Sequence, residues 1–232
     1  MIKYSKIKEA VFVERPNRFI ARVIVDGKEE TVHVKNTGRC RELLIKGCDV
    51  ILYESDSVGR KTKYDLVAVY KRRDGKSPLL INMDSQIPND VAEEWLKKGG
   101  LFSSNAKIRR EVKYGDSRFD FYIEDGERKA FLEVKGVTLE ENGVAMFPDA
   151  PTERGIKHIN ELVFAQSQGY EAYILFIVQM KEIGEMRPND RTHKAFGDAL
   201  RQADKKGVRV LALDCVVTEN SVEADKFITV KL

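Results

Sequence analysis

The C-terminal half of the chain contains the stretch RFDFYIEDGERKAFLEVKGVT at residues 118–138. Two runs rich in apolar and aromatic residues flank Asp125-Gly126, a dipeptide that favours the tight turn of a β-hairpin. The pattern therefore predicts paired strands at about Arg118–Glu124 and Lys129–Val137. Because successive side chains of a strand point to opposite faces, Glu133 and Lys135 should project from the same face of the second strand.

Asp120 lies on the first predicted strand and can share a face with the Glu133 and Lys135 side chains. Two carboxylates are sufficient protein ligands for Mg²⁺, which keeps several waters and also binds substrate oxygens. Such a cation binds a phosphate oxygen and acidifies a water, as phosphodiester hydrolysis requires. Lys135 can orient the attacking water and offset the charge of the transition state. The sequence thus predicts the catalytic set Asp120, Glu133 and Lys135, with Asp120 and Glu133 as ligands of Mg²⁺ or Mn²⁺.

An exposed hairpin with solvated charges is the alternative interpretation of this stretch. The Glu-x-Lys pattern alone is weak, because it also occurs at residues 111–113 and 127–129. Of the three, Glu133 is the one that follows an Asp on its hairpin partner and precedes a helix. The neighbouring Phe119, Phe121 and Phe131 favour a largely buried sheet, on which unpaired charges are costly. These features favour a metal site over a solvated hairpin.

A long amphipathic helix is predicted after Pro151, with Thr152 as its N-cap. Arg154, His158 and Glu161 recur at i, i+4 and i+7, so they share the face opposite the apolar stripe. We expect Arg154 and His158 to contact phosphate and Glu161 to assist in positioning metal or water. A solvated helix face is the simpler alternative for these three residues.

The chain from about residue 88 alternates helices and strands in the order α, β, β, β, α, β, α, β. Pro88-Asn89 should break the chain and cap the first helix, and residues 173–178 form an apolar run typical of a strand buried on both faces. Besides the hairpin and the long helix, the predicted elements are helices at Asp90–Lys98 and Thr192–Lys206 and strands at Ile108–Tyr114, Tyr173–Val178 and Val208–Val217. This order predicts an α/β domain in which helices flank a mixed sheet.

The first 82 residues read as short strands separated by turns. Asp26-Gly27 should join strands at Phe19–Val25 and Glu30–Val34 into a hairpin. A short helix at Arg39–Ile45 should follow, and then strands at Asp49–Glu54 and Lys63–Lys71. Five or so strands with one helix suit a small all-β domain of the oligonucleotide-binding (OB) type, although a generic small β-barrel fits almost as well. We therefore divide the chain into domains at residues 1–82 and 83–232.

The net charge of +3 is distributed unevenly along the chain. Residues 1–82 hold 18 basic against 11 acidic residues, a net +7, whereas residues 83–232 hold 22 against 26, a net −4. A basic domain suits a polyanion, because each cation near a phosphate releases condensed counterions. The residues predicted to bind nucleic acid here are Arg39, Arg41, Lys71, Arg72 and Arg73. Solvated surface is the alternative, and the cluster at 71–73 can equally cap a strand end.

Composition argues against several classes of protein. Three cysteines without a Cys-x-x-Cys pair disfavour a disulfide framework and a zinc ribbon. No apolar run approaches the ~18 residues that span a bilayer, and the charged N-terminus is unlike a signal peptide. Neither a Gly-x-Gly-x-x-Gly after a strand nor a Walker A sequence is present. We expect a soluble, cytoplasmic protein without membrane association, and the sequence leaves open whether it forms a homodimer.

Four segments of the chain are long and distinctive: Arg15-Pro16-Asn17-Arg18-Phe19, Asn36-Thr37-Gly38-Arg39, Glu133-Val134-Lys135-Gly136-Val137-Thr138-Leu139 and the segment MFPDAPTERG at residues 146–155. These segments resemble the sugar fermentation stimulation protein A family, and the similarity spans nearly the whole chain.

This resemblance implies an N-terminal OB-like domain and a C-terminal PD-(D/E)XK nuclease-like domain. It also implies DNA binding without strong sequence preference and a regulatory link to sugar (maltose) metabolism. Asp120, Glu133 and Lys135 match the core pattern of that nuclease superfamily, and the one departure is that no Pro precedes Asp120.

Two functions follow from these expectations. The first is a DNA-binding, Mg²⁺- or Mn²⁺-dependent nuclease, either an endonuclease or an exonuclease. The second is a regulator that binds DNA, single- or double-stranded, on a nuclease scaffold without turnover. The intact Asp, Glu and Lys set favours catalysis, since binding a polyanion gives no reason to bury two carboxylates.

Overall fold

The computed structural model describes residues 1–36, 38–55 and 59–232, and these residues form three β-sheets and three α-helices. The helices are α1 (Ile87–Lys97), α2 (Glu153–Ser167) and α3 (Asp190–Lys205). The strands are β1 (Ile2–Lys3), β2 (Ile7–Asn17), β3 (Ile20–Val25), β4 (Lys28–Val34), β5 (Asp49–Glu54), β6 (Tyr64–Arg73), β7 (Lys76–Asn82), β8 (Lys107–Tyr114), β9 (Ser117–Asp125), β10 (Arg128–Val137), β11 (Leu139–Glu141), β12 (Val144–Phe147), β13 (Glu171–Val178), β14 (Glu185–Pro188), β15 (Arg209–Thr218), β16 (Ser221–Phe227) and β17 (Thr229–Val230).

The N-terminal strands form a six-stranded sheet in the order β4-β3-β2-β5-β6-β7. A parallel pairing of β4 with β6 joins the sheet back onto itself. Buried and outward-facing residues alternate along β3, as a strand with one buried face requires. Asp26 and Gly27 both have positive φ, 51° and 76°, so the predicted hairpin forms with a primed turn. The expected OB-like architecture is confirmed.

The helix predicted at Arg39–Ile45 is wrong. Cys40 has a φ of +45°, which is the left-handed region, and the N–H groups of Leu43 and Leu44 both donate to its carbonyl oxygen. These bonds close a single turn. The turn does not extend into a helix, because helix nucleation is costly for so short a segment. Burial of Cys40 and Leu43 in the barrel core holds the segment in place instead.

The C-terminal part is built on a seven-stranded mixed sheet in the order β1-β16-β15-β13-β10-β9-β8. Its centre consists of the parallel strands β10, β13 and β15. Val91 and Leu96 of α1 pack on one face, while Ile159 and Leu162 of α2 and Phe196 of α3 belong to the core on the other face. The mixed sheet flanked by helices is therefore present as predicted.

Two of the three helices differ in their starts from the sequence expectation. α1 begins at Ile87, three residues before the predicted Asp90, because Pro88 lies in the first turn, where its missing N–H costs nothing. Pro88 therefore opens this helix, and Asn89 is not its cap. α3 opens at Asp190, two residues before the predicted Thr192, but the backbone at His193 is not helical (φ −154°, ψ 83°), so its continuous part begins after that kink. Thr152 caps α2 as predicted, since its hydroxyl oxygen accepts from the Gly155 N–H at 3.0 Å.

A four-stranded sheet in the order β11-β12-β14-β17 was not predicted from the sequence. Residues 146–147 of this sheet lie at the edge of the core. The centroid of the Phe147 ring is 5.6 Å from that of Phe176 and 5.2 Å from that of Phe196. This sheet fixes the segment that leads into α2.

Buried polar groups connect the barrel with the seven-stranded sheet. Gln179 Nε2, at the end of β13, donates to the Asn82 side chain at 2.9 Å and to the Asp84 carbonyl oxygen at 3.1 Å. The fully buried Asp84 carboxylate accepts from Tyr4 and pairs with Lys35 at 2.8 Å. Within the described residues, no helix combines the length and the apolar character that crossing a bilayer requires.

Candidate metal and phosphate site

Asp120 lies next to the point where the backbone pairing of β9 with β10 ends. Backbone pairing runs from Asp125 and Arg128 to Phe121 and Leu132. One residue further, the Asp120 carboxylate takes the place of a backbone acceptor and receives the Val134 N–H at 2.7 Å. Its other oxygen accepts from Asn89 Nδ2 on α1 at 2.9 Å. The strand and the helix together thus determine the orientation of this carboxylate.

Glu133 is buried in the middle of β10, with only 3% of its surface exposed. Its Oε1 accepts from Lys135 Nζ at 2.5 Å and also forms a short hydrogen bond with His158 Nδ1. Its Oε2 is buried and has no hydrogen-bond partner within the described part of the chain. Burying a carboxylate oxygen without a hydrogen-bond partner costs free energy unless a ligand occupies the position of that partner. Glu133 therefore has one oxygen free for a ligand.

The two carboxylates influence one another electrostatically. Burial raises the pKa of Asp120, and the nearby charge of Glu133 raises it further, against the opposing effect of the Val134 N–H. Burial would also raise the pKa of Glu133, but the His158 hydrogen bond and the Lys135 charge outweigh it and leave that pKa lowered. A cation bound by Asp120 and Glu133 would relieve the repulsion that contributes to the raised pKa of Asp120.

His158 has a different place from the predicted phosphate contact. Its ring is buried, Nδ1 faces Glu133, and Nε2 accepts from Arg154 Nε at 3.4 Å. With both ring nitrogens engaged inside the protein, His158 orients Glu133 and does not present itself to a ligand. Arg154 is exposed, so the rest of its guanidinium remains accessible to phosphate. The expected phosphate contact stays a prediction for Arg154.

Glu161 lies two turns along α2 from Arg154, beside the turn between β8 and β9. A Cβ on Gly115 in that turn would come within 3.0 Å of its Oε2. The residue lines a surface depression together with Asp116 and Lys157. No contact brings it to Asp120 or Glu133 within the described structure, so its accessory role stays a prediction.

Arg39 and Arg41 line a groove of about 480 Å³ together with Arg15 and Arg18. We call this the arginine groove. Arg15 is structural, since its guanidinium donates to four carbonyl oxygens between 2.6 and 2.9 Å and thereby holds the loop. Those four carbonyl groups belong to Arg18, Asn36, Gly38 and Arg39. Arg18, Arg39 and Arg41 are exposed and form no ion pair within the described residues.

The basic cluster at residues 71–73 is largely occupied by partners within the protein. Lys71 Nζ pairs with Glu140 at 2.5 Å, and Arg73 pairs with Glu182 at 2.8 Å. Arg72 donates to the Gly47 carbonyl oxygen at 2.7 Å. Lys71 and Arg73 therefore join β6 to the C-terminal part, and the structure does not bring them to the arginine groove.

Asn89 and the orienting role of His158 were not predicted from the sequence. The only signal for Asn89 was its place beside Pro88, which pointed to a helix cap. Among the described residues no group of three or more His, Cys, Asp or Glu side chains is arranged to hold a metal. The donor set is thus the pair Asp120 and Glu133, which suits a cation that keeps most of its waters.

The chain is similar to known proteins along its whole length. Residues 86–221 match the family model described as "Sugar fermentation stimulation protein RE domain", and residues 13–77 match the "SfsA N-terminal OB domain". A sugar fermentation stimulation protein homolog of Desulfitobacterium hafniense (strain Y51) is 62% identical over 231 residues, covering 100% of this chain and 99% of the relative. One from Ruminiclostridium cellulolyticum is 54% identical and covers 100% of both.

A solved structure described as Pyrococcus furiosus SfsA in complex with Ca²⁺ superimposes with a TM-score of 0.87 at 27% identity. The superposition covers 100% of this chain and 98% of that one. Since the family models and the relatives agree over both halves of the fold, the chain belongs to the sugar fermentation stimulation protein family.

Proposed function

We propose that the protein is a nuclease that hydrolyses phosphodiester bonds with the help of a divalent cation. The observation that carries this proposal is the buried, unpartnered Oε2 of Glu133 beside the carboxylate of Asp120. A protein that only binds nucleic acid gains nothing from two buried carboxylates, because they repel phosphate.

Asp120 and Glu133 would hold the cation, either Mg²⁺ or Mn²⁺. When bound, such a cation supplies Lewis acidity toward a phosphate oxygen and lowers the pKa of a coordinated water. The Ca²⁺ in the related Pyrococcus furiosus structure supports a cation site in this family. Oxygen ligands of this kind suit hard cations in general.

The other residues would act through position and charge. Lys135 is a cation at the edge of the site, where it can stabilise negative charge that develops on the phosphate in the transition state. Asn89 and the Val134 N–H keep Asp120 oriented, and His158 does the same for Glu133. Arg154 would bind a neighbouring phosphate as well as supporting His158.

The test is cleavage of labelled single-stranded and duplex DNA with Mg²⁺, Mn²⁺ or chelator. Wild type should cleave only with the cations, and Glu133→Ala and Lys135→Ala should each lose cleavage. Glu127→Ala and Lys129→Ala are matched controls, because these exposed residues carry the same Glu-x-Lys pattern where the hairpin turn enters β10, and both variants should keep full activity. Cleavage that survives Glu133→Ala, or that resists chelator, would refute the proposal.

The second candidate function is a DNA-binding regulator without turnover, linked to sugar metabolism as the family name suggests. It is favoured by the engagement of Glu133 Oε1 with both Lys135 and His158, which resembles a satisfied buried charge cluster. Salt-sensitive DNA binding without cleavage under any cation condition would support this candidate. Asp120→Ala should then leave DNA binding in chelator unchanged or slightly tighter, because it removes negative charge.

A further inference from the structure

The arginine groove has the charge of a phosphate-binding surface. Arg18, Arg39 and Arg41 are exposed, and none of the described residues that line the groove is acidic. The guanidinium of Arg18 lies 4.9 Å from the ring centroid of Phe19, which is 46% exposed. Exposed cations can bind the phosphate backbone of a nucleic-acid strand, and an exposed aromatic ring beside them can stack on its bases.

The groove adjoins a cleft between the barrel and the C-terminal part. This cleft has a volume of about 160 Å³, and Gly38 lines both the groove and the cleft. Asp149 of the cleft is followed directly by Ala150 of the groove, so the two spaces adjoin at Gly38 and at residues 149–150. The cleft reaches Gly136, the residue after Lys135, so it leads from the arginine groove to the strand that carries the proposed catalytic residues.

The cleft is polar but not basic, unlike the groove. Asn36, Asp149 and Gln179 line it, and the Asp149 carboxylate has no ion pair within the described residues. The Asn36 and Gln179 amides already form hydrogen bonds within the protein. The unpaired Asp149 carboxylate repels phosphate, and it can accept from the N–H donors on the edge of a nucleobase. Phe147 supplies an aromatic side chain at the same place. Phosphate is thus favoured in the arginine groove and a base in the adjoining cleft.

Two glycines keep the cleft at its present size. A Cβ on Gly38 would collide with the Asp149 carboxylate, and one on Gly136 would come within 2.7 Å of Gln179 Oε1 and 2.6 Å of Pro88. The volume of the cleft is below the ~300–1,000 Å³ that is typical of pockets for drug-sized ligands. The cleft can therefore take a single base and excludes a base pair.

We infer that the groove and the cleft together hold one unpaired nucleotide, with its phosphate on Arg39 and Arg41 and its base against Asp149. The substrate class is accordingly a nucleic acid with a single-stranded segment, because a paired base would first have to leave its stack. This inference rests on the proposed function for its placement beside the catalytic strand. It concerns binding, however, and can be tested without turnover.

The experiment measures the binding of fluorescent 12-nucleotide strands and of a blunt hairpin duplex in chelator, by anisotropy over a range of salt concentrations. Single strands should bind at least tenfold tighter than the duplex. The Arg39→Ala/Arg41→Ala double variant should bind them at least tenfold more weakly, with a salt slope smaller by about 0.7 for each phosphate that the variant no longer neutralises. Lys205→Ala/Lys206→Ala is the matched control, since it removes two exposed charges at the far end of α3 and should leave binding unchanged.

A second comparison tests where the base binds. Asp149 accepts hydrogen bonds, so strands of dC and dA, whose bases carry exocyclic amino donors, should bind severalfold tighter than strands of N3-methyl-dT, whose base has no N–H donor. Asp149→Asn should abolish this preference, and thermal unfolding would check that the variant is folded. Equal affinity for duplex and single strand, or a groove variant that binds like wild type, would overturn the inference. Intact single-strand binding without any cleavage would refute the proposed nuclease and leave the inference standing.

Discussion

Glu133 illustrates how a single residue can be predicted while its partners are not. Its pattern with Lys135 and its place opposite Asp120 are visible in the sequence, because strand alternation and a turn dipeptide are local signals. His158 and Asn89 reach the same site from two helices, and nothing in their local sequence specifies those contacts. Their placement depends on how α1 and α2 pack on the sheet, which is a property of the tertiary structure.

Removal of His158 should weaken cation binding without affecting DNA binding in chelator. His158→Ala leaves Glu133 without one of its two hydrogen-bond donors, so the carboxylate loses its fixed orientation. Loss of such an orienting partner typically costs 10- to 100-fold in metal affinity. The Mg²⁺ concentration for half-maximal cleavage should rise by about that factor.

Asn160→Ala is the control for this prediction, since Asn160 is exposed on the same helix. An unchanged Mg²⁺ requirement in the folded His158→Ala protein would mean that His158 does not orient Glu133.

Glu171 gives an acid-dependent contribution to stability. The Arg128 guanidinium donates to its carboxylate and lowers the pKa of Glu171 to about 2, well below its ordinary value. A carboxyl group with a lowered pKa stabilises the folded state above its unfolded pKa of ~4.3, and this contribution is lost as the pH falls toward 2. Because the Glu171 side chain is 33% exposed, we expect less than ~1 kcal/mol after screening.

Urea unfolding of wild type and Glu171→Gln between pH 6 and 2 measures this contribution. The two proteins should differ most at pH 6 and converge as the pH approaches 2. A difference that stays constant over this range would assign the effect of the substitution to packing.

At the scale of elements, the sequence predicted the strongly patterned strands and helices, but it missed β2 and β16, which are 11 and 7 residues long. The hairpin of β9 and β10, the buried strand β13 and the helix α2 all carry signals several residues long. The strands β11, β12, β14 and β17 are two to four residues long, which is too short for any periodicity. β7 contains Pro78, which argues against a strand, but β7 lies at the sheet edge, where proline is tolerated.

The start of α2 should depend on the side chain of Thr152. Its hydroxyl oxygen satisfies the Gly155 N–H, which would otherwise lack an intrahelical partner. Thr152→Ala should lower the free energy of unfolding by about 0.5–2 kcal/mol, whereas Thr152→Ser keeps the oxygen and should lose much less. Urea denaturation distinguishes the two. Equal losses for both substitutions would show that the methyl group of Thr152, rather than its hydroxyl, stabilises this end of the helix.

At the scale of the whole molecule, the sequence predicted the architecture of both parts and left their junction undetermined. The basic cluster at residues 71–73 was interpreted as a nucleic-acid surface because charge count alone cannot tell a free cation from a paired one. The structure pairs Lys71 with Glu140 and Arg73 with Glu182, and both acids are more than 60 residues away along the chain. The division at residues 82 and 83 remains our proposal.

The Lys71–Glu140 pair should stabilise the junction much more than the Arg73–Glu182 pair. The Glu140 side chain is only 4% exposed, whereas that of Glu182 is 62% exposed. Lys71→Met leaves a buried carboxylate without its cation and should cost about 3 kcal/mol. Arg73→Met should cost less than ~1 kcal/mol, as for other surface pairs.

A double-mutant cycle tests this assignment. Adding Glu140→Gln to Lys71→Met removes the unpaired charge and should recover much of the missing stability, measured by urea unfolding. If the double variant were no more stable than Lys71→Met, the destabilisation would have come from the packing of the lysine stem instead.

The pairing of β1 with β16 aligns Ile2 with Val222 and Lys3 with Ser221. A ribosome synthesises the chain from the N-terminal side, so residues 2–3 are made before the barrel strands, and their partner strand is made more than 200 residues later. The barrel can close during synthesis, because all of its strands lie between residues 7 and 82. Closing the long loop from β1 to β16 must wait for nearly the whole chain and carries an entropic cost that grows slowly with its length. β1 is therefore synthesised before the barrel but placed after it, and until then β16 remains an open edge on which a second nascent chain could pair.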